Sequence, residues 1–121
     1  MDFANLPPQC PPNDAIPCTG EIFRLVSTVP ATTDDFISHF NRYPGKQWLD
    51  ECEASGLSIS LSFEAASRLR KRFKKLPQEI AVASLQPAVG VMKQTHSAEH
   101  HTWWPEDGVD IPVLFNIVKS Q

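Results

Sequence analysis

No apolar stretch in this chain approaches the length needed to span a bilayer, and the opening Met1-Asp2-Phe3-Ala4-Asn5 has neither the basic start nor the apolar stretch of a secretion signal. The expectation is therefore a cytoplasmic protein without membrane contact. Cysteine is scarce and unmatched: Cys10, Cys18 and Cys52 form an odd set with no C-x-x-C spacing. That argues against a disulfide framework and leaves zinc without a preorganised ligand pair, so no metal site is expected. The length, 121 residues, leaves no room for a second core, but 41% hydrophobic residues are enough for one.

The chain has abundant charge, unevenly placed. The formal net charge is -3, yet Arg68, Arg70, Lys71, Arg72, Lys74 and Lys75 fall within eight residues, which leaves five basic against fourteen acidic side chains elsewhere. Such separation makes the molecule electrically polar. A basic face invites phosphate, but no nucleic-acid fold signature accompanies it. A protein partner is expected ahead of nucleic acid, whose binding would be weak and unselective.

Residues 1–20 carry five prolines (Pro7, Pro8, Pro11, Pro12, Pro17) and few large apolar groups. They read as an arm, flexible or extended across the surface, ahead of one domain spanning 21–121. Glu21 to Val29, rich in β-branched and aromatic residues and stopped by Pro30, predicts the first strand. Thr32-Thr33-Asp34-Asp35 matches a hydroxyl-x-x-acid helix start, with Phe36, Ile37 and Phe40 as the apolar face. Trp48, Leu49 and Cys52 suggest a second short helix, with Cys52 a small buried hydrophobe and Gly56 a left-handed terminator.

Leu57-Ser58-Ile59-Ser60-Leu61 is the cleanest alternation in the chain and predicts a strand with one wet face. Ser62 can cap a following helix in which Ala66, Leu69, Phe73 and Leu76 recur at three and four residues, closed by Pro77. Leu57, Ile59, Leu61, Leu69 and Phe73 are expected to be mostly buried. Further strands are predicted over 79–85, 91–95 and 111–118, the last with Pro112 at an edge or late start. The fold class expected is α+β, with a mixed or mainly antiparallel sheet of about five strands and three helices covering one face.

The order Phe23-Arg24, then Gly56-Leu57-Ser58-Ile59-Ser60, then a helix near Glu64-Ala65-Ala66, then Ile80-Ala81-Val82 resembles the core layout of ADP-ribosyltransferase-like domains. The resemblance covers about half the chain. It implies that Arg24 would meet the phosphates of NAD and that Ser58 or Ser60 would support the nicotinamide ribose. The glutamate that active transferases carry on a later strand has no match here, Glu99 lying in an expected loop. The whole chain also resembles small uncharacterised bacterial proteins that join a Gly-Leu-Ser strand to a late His-His-Thr-Trp-Trp segment.

That segment, residues 96–105, holds three of the four histidines and two of the three tryptophans. Imidazole titrates near neutral pH and indole offers a flat apolar face with one donor. In extended chain His100 and His101 alternate faces, as do Trp103 and Trp104, so one of each pair should support the core while the other meets a shallow groove. The expected function is a binding module without a resident cofactor, using His96, His100, His101, Trp103 and Trp104 together with Arg68, Arg70, Lys71 and Arg72 of the basic helix (62–76). The alternative is an NAD-dependent ADP-ribosyltransferase-like enzyme or remnant with candidate catalytic residues His100, His101, Arg24, Ser58 and Ser60. Convergence of Arg24, a serine and a histidine on one cleft discriminates the two.

Overall fold

The β-branched and aromatic run near residue 20 becomes the hub of a sheet, because its two faces each carry large apolar side chains. A computed structural model describes residues 2–119. In it β1 (Ile16–Pro17), β2 (Gly20–Val26), β3 (Leu57–Ser60), β4 (Glu79–Leu85), β5 (Gly90–Gln94), β6 (His100–Pro105) and β7 (Asn116–Ile117) form one sheet in the order β1-β5-β6-β3-β2-β4-β7. All pairings are antiparallel. The class is α+β; seven strands replace the five or so expected, since two-residue edge strands leave almost no periodicity to read.

Both faces of the sheet are covered. Ile22, Val26, Leu57, Ile59, Ala81, Ala83, Leu85, Met92 and Trp103 build one core with Cys18, Phe36 and Phe115. The neighbouring residues of the same strands, Phe23 and Ile80, pack with Ala66 on the other side. There the helix α3 (Phe63–Arg72) lies across β2, β3 and β4. Ser62 caps it by accepting from the Ala65 N–H at 3.0 Å, as its sequence predicts.

The helix expected after residue 32 is broken in two. A 3₁₀ turn over Thr33–Phe36 is held by the Thr32/Asp35 capping box, and α1 (His39–Arg42) begins at its own cap, Ser38. Asp35 explains the break: its carboxylate accepts from the backbone of Ser27 and Thr32 and from the Thr28 hydroxyl, binding this segment to the end of β2 rather than extending a helix. The second short helix, α2 (Glu51–Ala54), starts at an Asp50 cap. Trp48 and Leu49 precede it, and Leu49 is fully exposed instead of packing on an apolar face.

Gly56 is not left-handed; a Cβ there would collide with Thr102 Cγ2 and crowd the Trp104 ring at 3.1 Å, so glycine is required for closeness. The predicted last strand is instead α4 (Ile111–Leu114) followed by β7, with Pro112 in the first turn of the helix, where its missing N–H costs nothing. Phe73 is 46% exposed and Leu61 37%, and Leu69 is only half-buried, because α3 ends at Arg72 and the chain turns away.

Cys10 and Cys52 form a disulfide across 42 residues of chain. Sequence spacing cannot reveal such a pair, since the two cysteines meet only when the proline-rich segment lies along the domain. It does so here through Ile16↔Met92 and Pro17↔Val91 and through buried Cys18, whose N–H donates to Gly90 at 3.0 Å. Burial pushes the Cys18 thiol up to about 12.

Candidate functional site

The central strands part company after a single pairing, Phe23↔Ser60. Beyond it β2 and β3 splay, and an open groove of about 990 Å³ follows the sheet between α3 and the segment that carries α2. Its floor is set by register. Ser58 opposes Thr102 and Ser60 opposes His100, so these four side chains share the face that Phe23 also occupies. The wet face expected of the Leu-Ser-Ile-Ser strand holds at Ser58 alone: His100 is half-buried, and Ser60 and Thr102 are buried.

One wall comes from α3 and its continuation: Arg68, Leu69, Arg72, Phe73 and Leu76 line it. The opposite wall is formed by Glu53, Ala54, His96 and Ser97, and the far end by Ile37, His39 and Trp48. The basic helix and part of the histidine segment therefore do meet around one concavity. Arg68 donates to Glu99 at 2.6 Å, and the same carboxylate accepts from the Ser62 hydroxyl at 3.0 Å, which ties the helix start to the turn before β6. Arg72 sits with its guanidinium 5.3 Å from the Phe73 ring centroid. Arg70 is turned to structural work, donating to the Gln78 carbonyl at 2.9 Å where Gln78 closes the end of the helix. Lys71 is exposed.

The histidines divide between the two faces. His100 lies on the groove face, its Nδ1 within 3.1 Å of the Thr95 carbonyl and 2.9 Å of the Thr95 hydroxyl. Donation from Nδ1 to the carbonyl selects the tautomer whose Nε2 is an acceptor, and among the described residues that atom has no protein hydrogen bond. Burial, against the opposing hydrogen bond from Thr95, holds His100 below the ordinary histidine value, so it is neutral at pH 7. His96 stands beside it, ring centroids 5.1 Å apart, in a left-handed backbone (φ 65°) and with Nε2 at 2.9 Å from Glu53 Oε2. His101 faces the other side, half-buried opposite Ile59, and its buried Nδ1 finds no partner. Burial lowers its pKa as well.

Trp103 and Trp104 do not divide as expected. Both are buried, at 0% and 1% exposure, because the sheet is covered on both sides. Trp103 joins the larger core and donates to the Val89 carbonyl at 3.1 Å; Trp104 packs beneath α2 and donates to the Cys52 carbonyl at 2.9 Å. Neither can serve as a contact surface. Arg24 lines the groove with Ser58, Ser60 and His100, with its guanidinium engaged by backbone carbonyls. It donates to the Asp35 carbonyl from Nε at 3.2 Å and from Nη2 at 2.9 Å, and donates to the Ser58 carbonyl at 2.8 Å. It bridges the splayed strands where ladder bonds are missing. Burial lowers its pKa to about 10, leaving it charged at neutral pH.

The groove residues that the sequence did not single out are Glu53, Trp48 and His39. Glu53 looked like one acid among many in a short helix; only the disulfide and the Trp104 bond bring α2 against the histidines. Among the described residues no group of three or more histidine, cysteine, aspartate or glutamate side chains is arranged to hold a metal ion, and no helix is long and apolar enough to cross a membrane. Neither a family model, nor a curated protein, nor a solved structure matches this chain.

Proposed function

We propose that the chain is a binding module whose groove receives a segment of a partner protein carrying apolar and acidic side chains. The observation that supports this best is the composition of one wall: Arg68 and Arg72 alternate there with Leu69, Phe73 and Leu76, and Phe73 is half exposed with no core role. An exposed phenyl ring with the Arg72 guanidinium beside it is the chemistry of an interface hot spot. His96 and His100 on the facing side supply donors and an acceptor for the partner's backbone. The surface that fits this reading is smaller than the sequence suggested, without Trp103, Trp104 or His101.

The test is selection from a displayed library of random peptides against the folded protein. Enrichment of sequences with bulky apolar residues beside Asp or Glu, lost with Arg72→Glu and with Phe73→Ala, is the expected result. Enrichment of basic sequences, or binding indifferent to both substitutions, overturns the reading.

One observation favours a second reading, an enzyme. The Glu53–His96 pair beside a neutral His100 is proton-transfer equipment in a groove. An ADP-ribosyltransferase-like use of NAD would further need Arg24, which lines the groove with Ser58 and Ser60, to release the Asp35 and Ser58 carbonyls that its guanidinium holds. Thermal stabilisation by NAD, absent with oligonucleotides, would favour the enzyme. The Cys10–Cys52 bond bears on compartment: disulfides persist where thiols are oxidised, which favours an oxidising compartment over the cytoplasm.

A further inference from the structure

At the end of the groove away from the basic helix, the Tyr43 and Trp48 rings lie against one ammonium group and His39 packs beside both rings. Tyr43 follows His39 by four residues, one helical turn, so α1 presents both rings on one side, with centroids 6.0 Å apart. The Tyr43-Pro44-Gly45 turn, closed by the Lys46 N–H donating to the Tyr43 carbonyl at 3.2 Å and eased by the positive φ of Gly45, then reverses the chain. That reversal lays Trp48 nearly parallel to His39, 19° between planes and 6.2 Å between centroids. It also places Lys46 Nζ 4.4 Å from the Trp48 centroid and 5.8 Å from that of Tyr43.

We propose that His39, Tyr43 and Trp48 form a recognition box for a trimethylammonium group, which Lys46 of the same chain occupies as a built-in competitor. Four observations carry this. Both cation–ring distances lie within the ~6 Å range over which a ring quadrupole attracts a cation. Among the described residues no carboxylate pairs with Lys46, so its ammonium is held by rings. The buried Nε1–H of Trp48 has no acceptor, so ring faces and not a hydrogen bond keep the indole in place. Burial and the neighbouring Arg24, Lys46 and Arg42 charges keep His39 below its ordinary value, so its ring meets a cation as a neutral face.

A trimethylammonium group suits such a box better than the lysine that fills it. Its charge is spread over methyl groups that pack on rings and lose little hydration, whereas a primary ammonium gives up strong hydrogen bonds to water. His39 and Trp48 also line the groove, so a group entering the box can belong to a longer ligand lying there. The box needs no particular occupant of the rest of the groove, and it stands or falls separately from the polypeptide reading.

Tryptophan fluorescence tests it on the intact protein, because Trp103 and Trp104 are buried and Trp48 is the accessible indole. Tetramethylammonium chloride is titrated against sodium chloride at matched ionic strength. The expected result is a saturable change specific to tetramethylammonium, weak in the wild type and at least tenfold tighter in Lys46→Ala and Lys46→Met. Calorimetry on Tyr43→Ala and Trp48→Ala should find that binding lost. Choline and a peptide bearing trimethyllysine then separate the sources of the group: a tighter peptide points to a protein ligand, a tighter choline to a headgroup, and equal affinities to the group alone. No saturable response in either Lys46 variant, with folding confirmed by circular dichroism, overturns the proposal. So does tetramethylammonium binding that survives Tyr43→Ala and Trp48→Ala.

Discussion

The two faces of the sheet are made by the same strands yet have opposite characters. On one, Ile22, Val26, Leu57, Ile59 and Trp103 close over Phe36 and Phe115 into a continuous apolar core. On the other, Phe23 and Ile80 are sealed by α3 and Trp104 by α2, but the strip between them is floored by Ser58, Ser60, Thr102 and His100 and stays open. The difference comes from one interrupted pairing. Where β2 and β3 pair only at Phe23↔Ser60 the ladder opens, and Ser58 and part of His100 remain in reach of solvent while Ser60 and Thr102 are buried. The first face is a closed apolar core, and the second keeps a groove.

The sharpest way to break that comparison is at adjacent residues. Trp103→Ala should cost about 3 to 5 kcal/mol in urea unfolding, as for other buried aromatic truncations. Trp104→Ala should cost a similar amount, because it too is buried and hydrogen-bonded although it lies on the groove side. A tolerated Trp104→Ala would mean that α2 is not held where the groove needs it. Next in size is the tie that fixes α2 from outside. Cys10→Ser should lower stability by roughly 2 to 4 kcal/mol under non-reducing conditions, and reduction of the wild type should reproduce the loss. Equal stability of the oxidised and reduced protein would refute the Cys10–Cys52 bond as a structural element.

Gly56→Ala probes the closeness of the same layers. The added methyl group meets Thr102, the Trp103 carbonyl and the Trp104 ring, and a destabilisation of about 1 to 3 kcal/mol is expected from overpacking. An unchanged urea midpoint would show that the layer can relax.

A pH series compares the faces through their histidines. Burial depresses His100 on the groove side and His101 on the closed side below the ordinary histidine value of about 6.5, so near that pH the unfolded chain binds more protons than the folded one. Their contribution to stability is complete above about 6.5 and is lost as the pH falls through and below it. Unfolding free energies at pH 7.5 and 5.5 should therefore decline together with pH, and His100→Gln and His101→Gln should each flatten the slope. A slope indifferent to both variants would assign it elsewhere.

The smallest expected effect on stability belongs to Phe73→Ala, below about 1 kcal/mol, since nearly half of that side chain is already in water. Its effect should appear in ligand binding instead. A loss of several kcal/mol in unfolding would return Phe73 to the core and remove the apolar anchor from the groove wall.

Much of this was legible in short-range pattern. The α+β class, the strand at 79–85, the Ser62 cap, the Asp35 capping box and the two-faced alternation of Leu57-Ser58-Ile59-Ser60 rest on alternation and on side chains that reach their own backbone neighbours. The concentration of basic charge on one helix was equally plain. Alternation likewise assigned His100 and His101 to opposite faces, and Trp103 and Trp104 with them, from the geometry of extended chain alone.

What each face would meet was decided only in three dimensions. Alternation says that two neighbours diverge, but not whether a covering layer waits on either side, and here one does for both tryptophans. The Cys10–Cys52 bond, the approach of Glu53 to His96, the hold of the Asp35 and Ser58 carbonyls on Arg24 and the gathering of His39, Tyr43, Lys46 and Trp48 join residues through space or through a loop reversal. No period in the sequence encodes them, because each depends on where other elements pack.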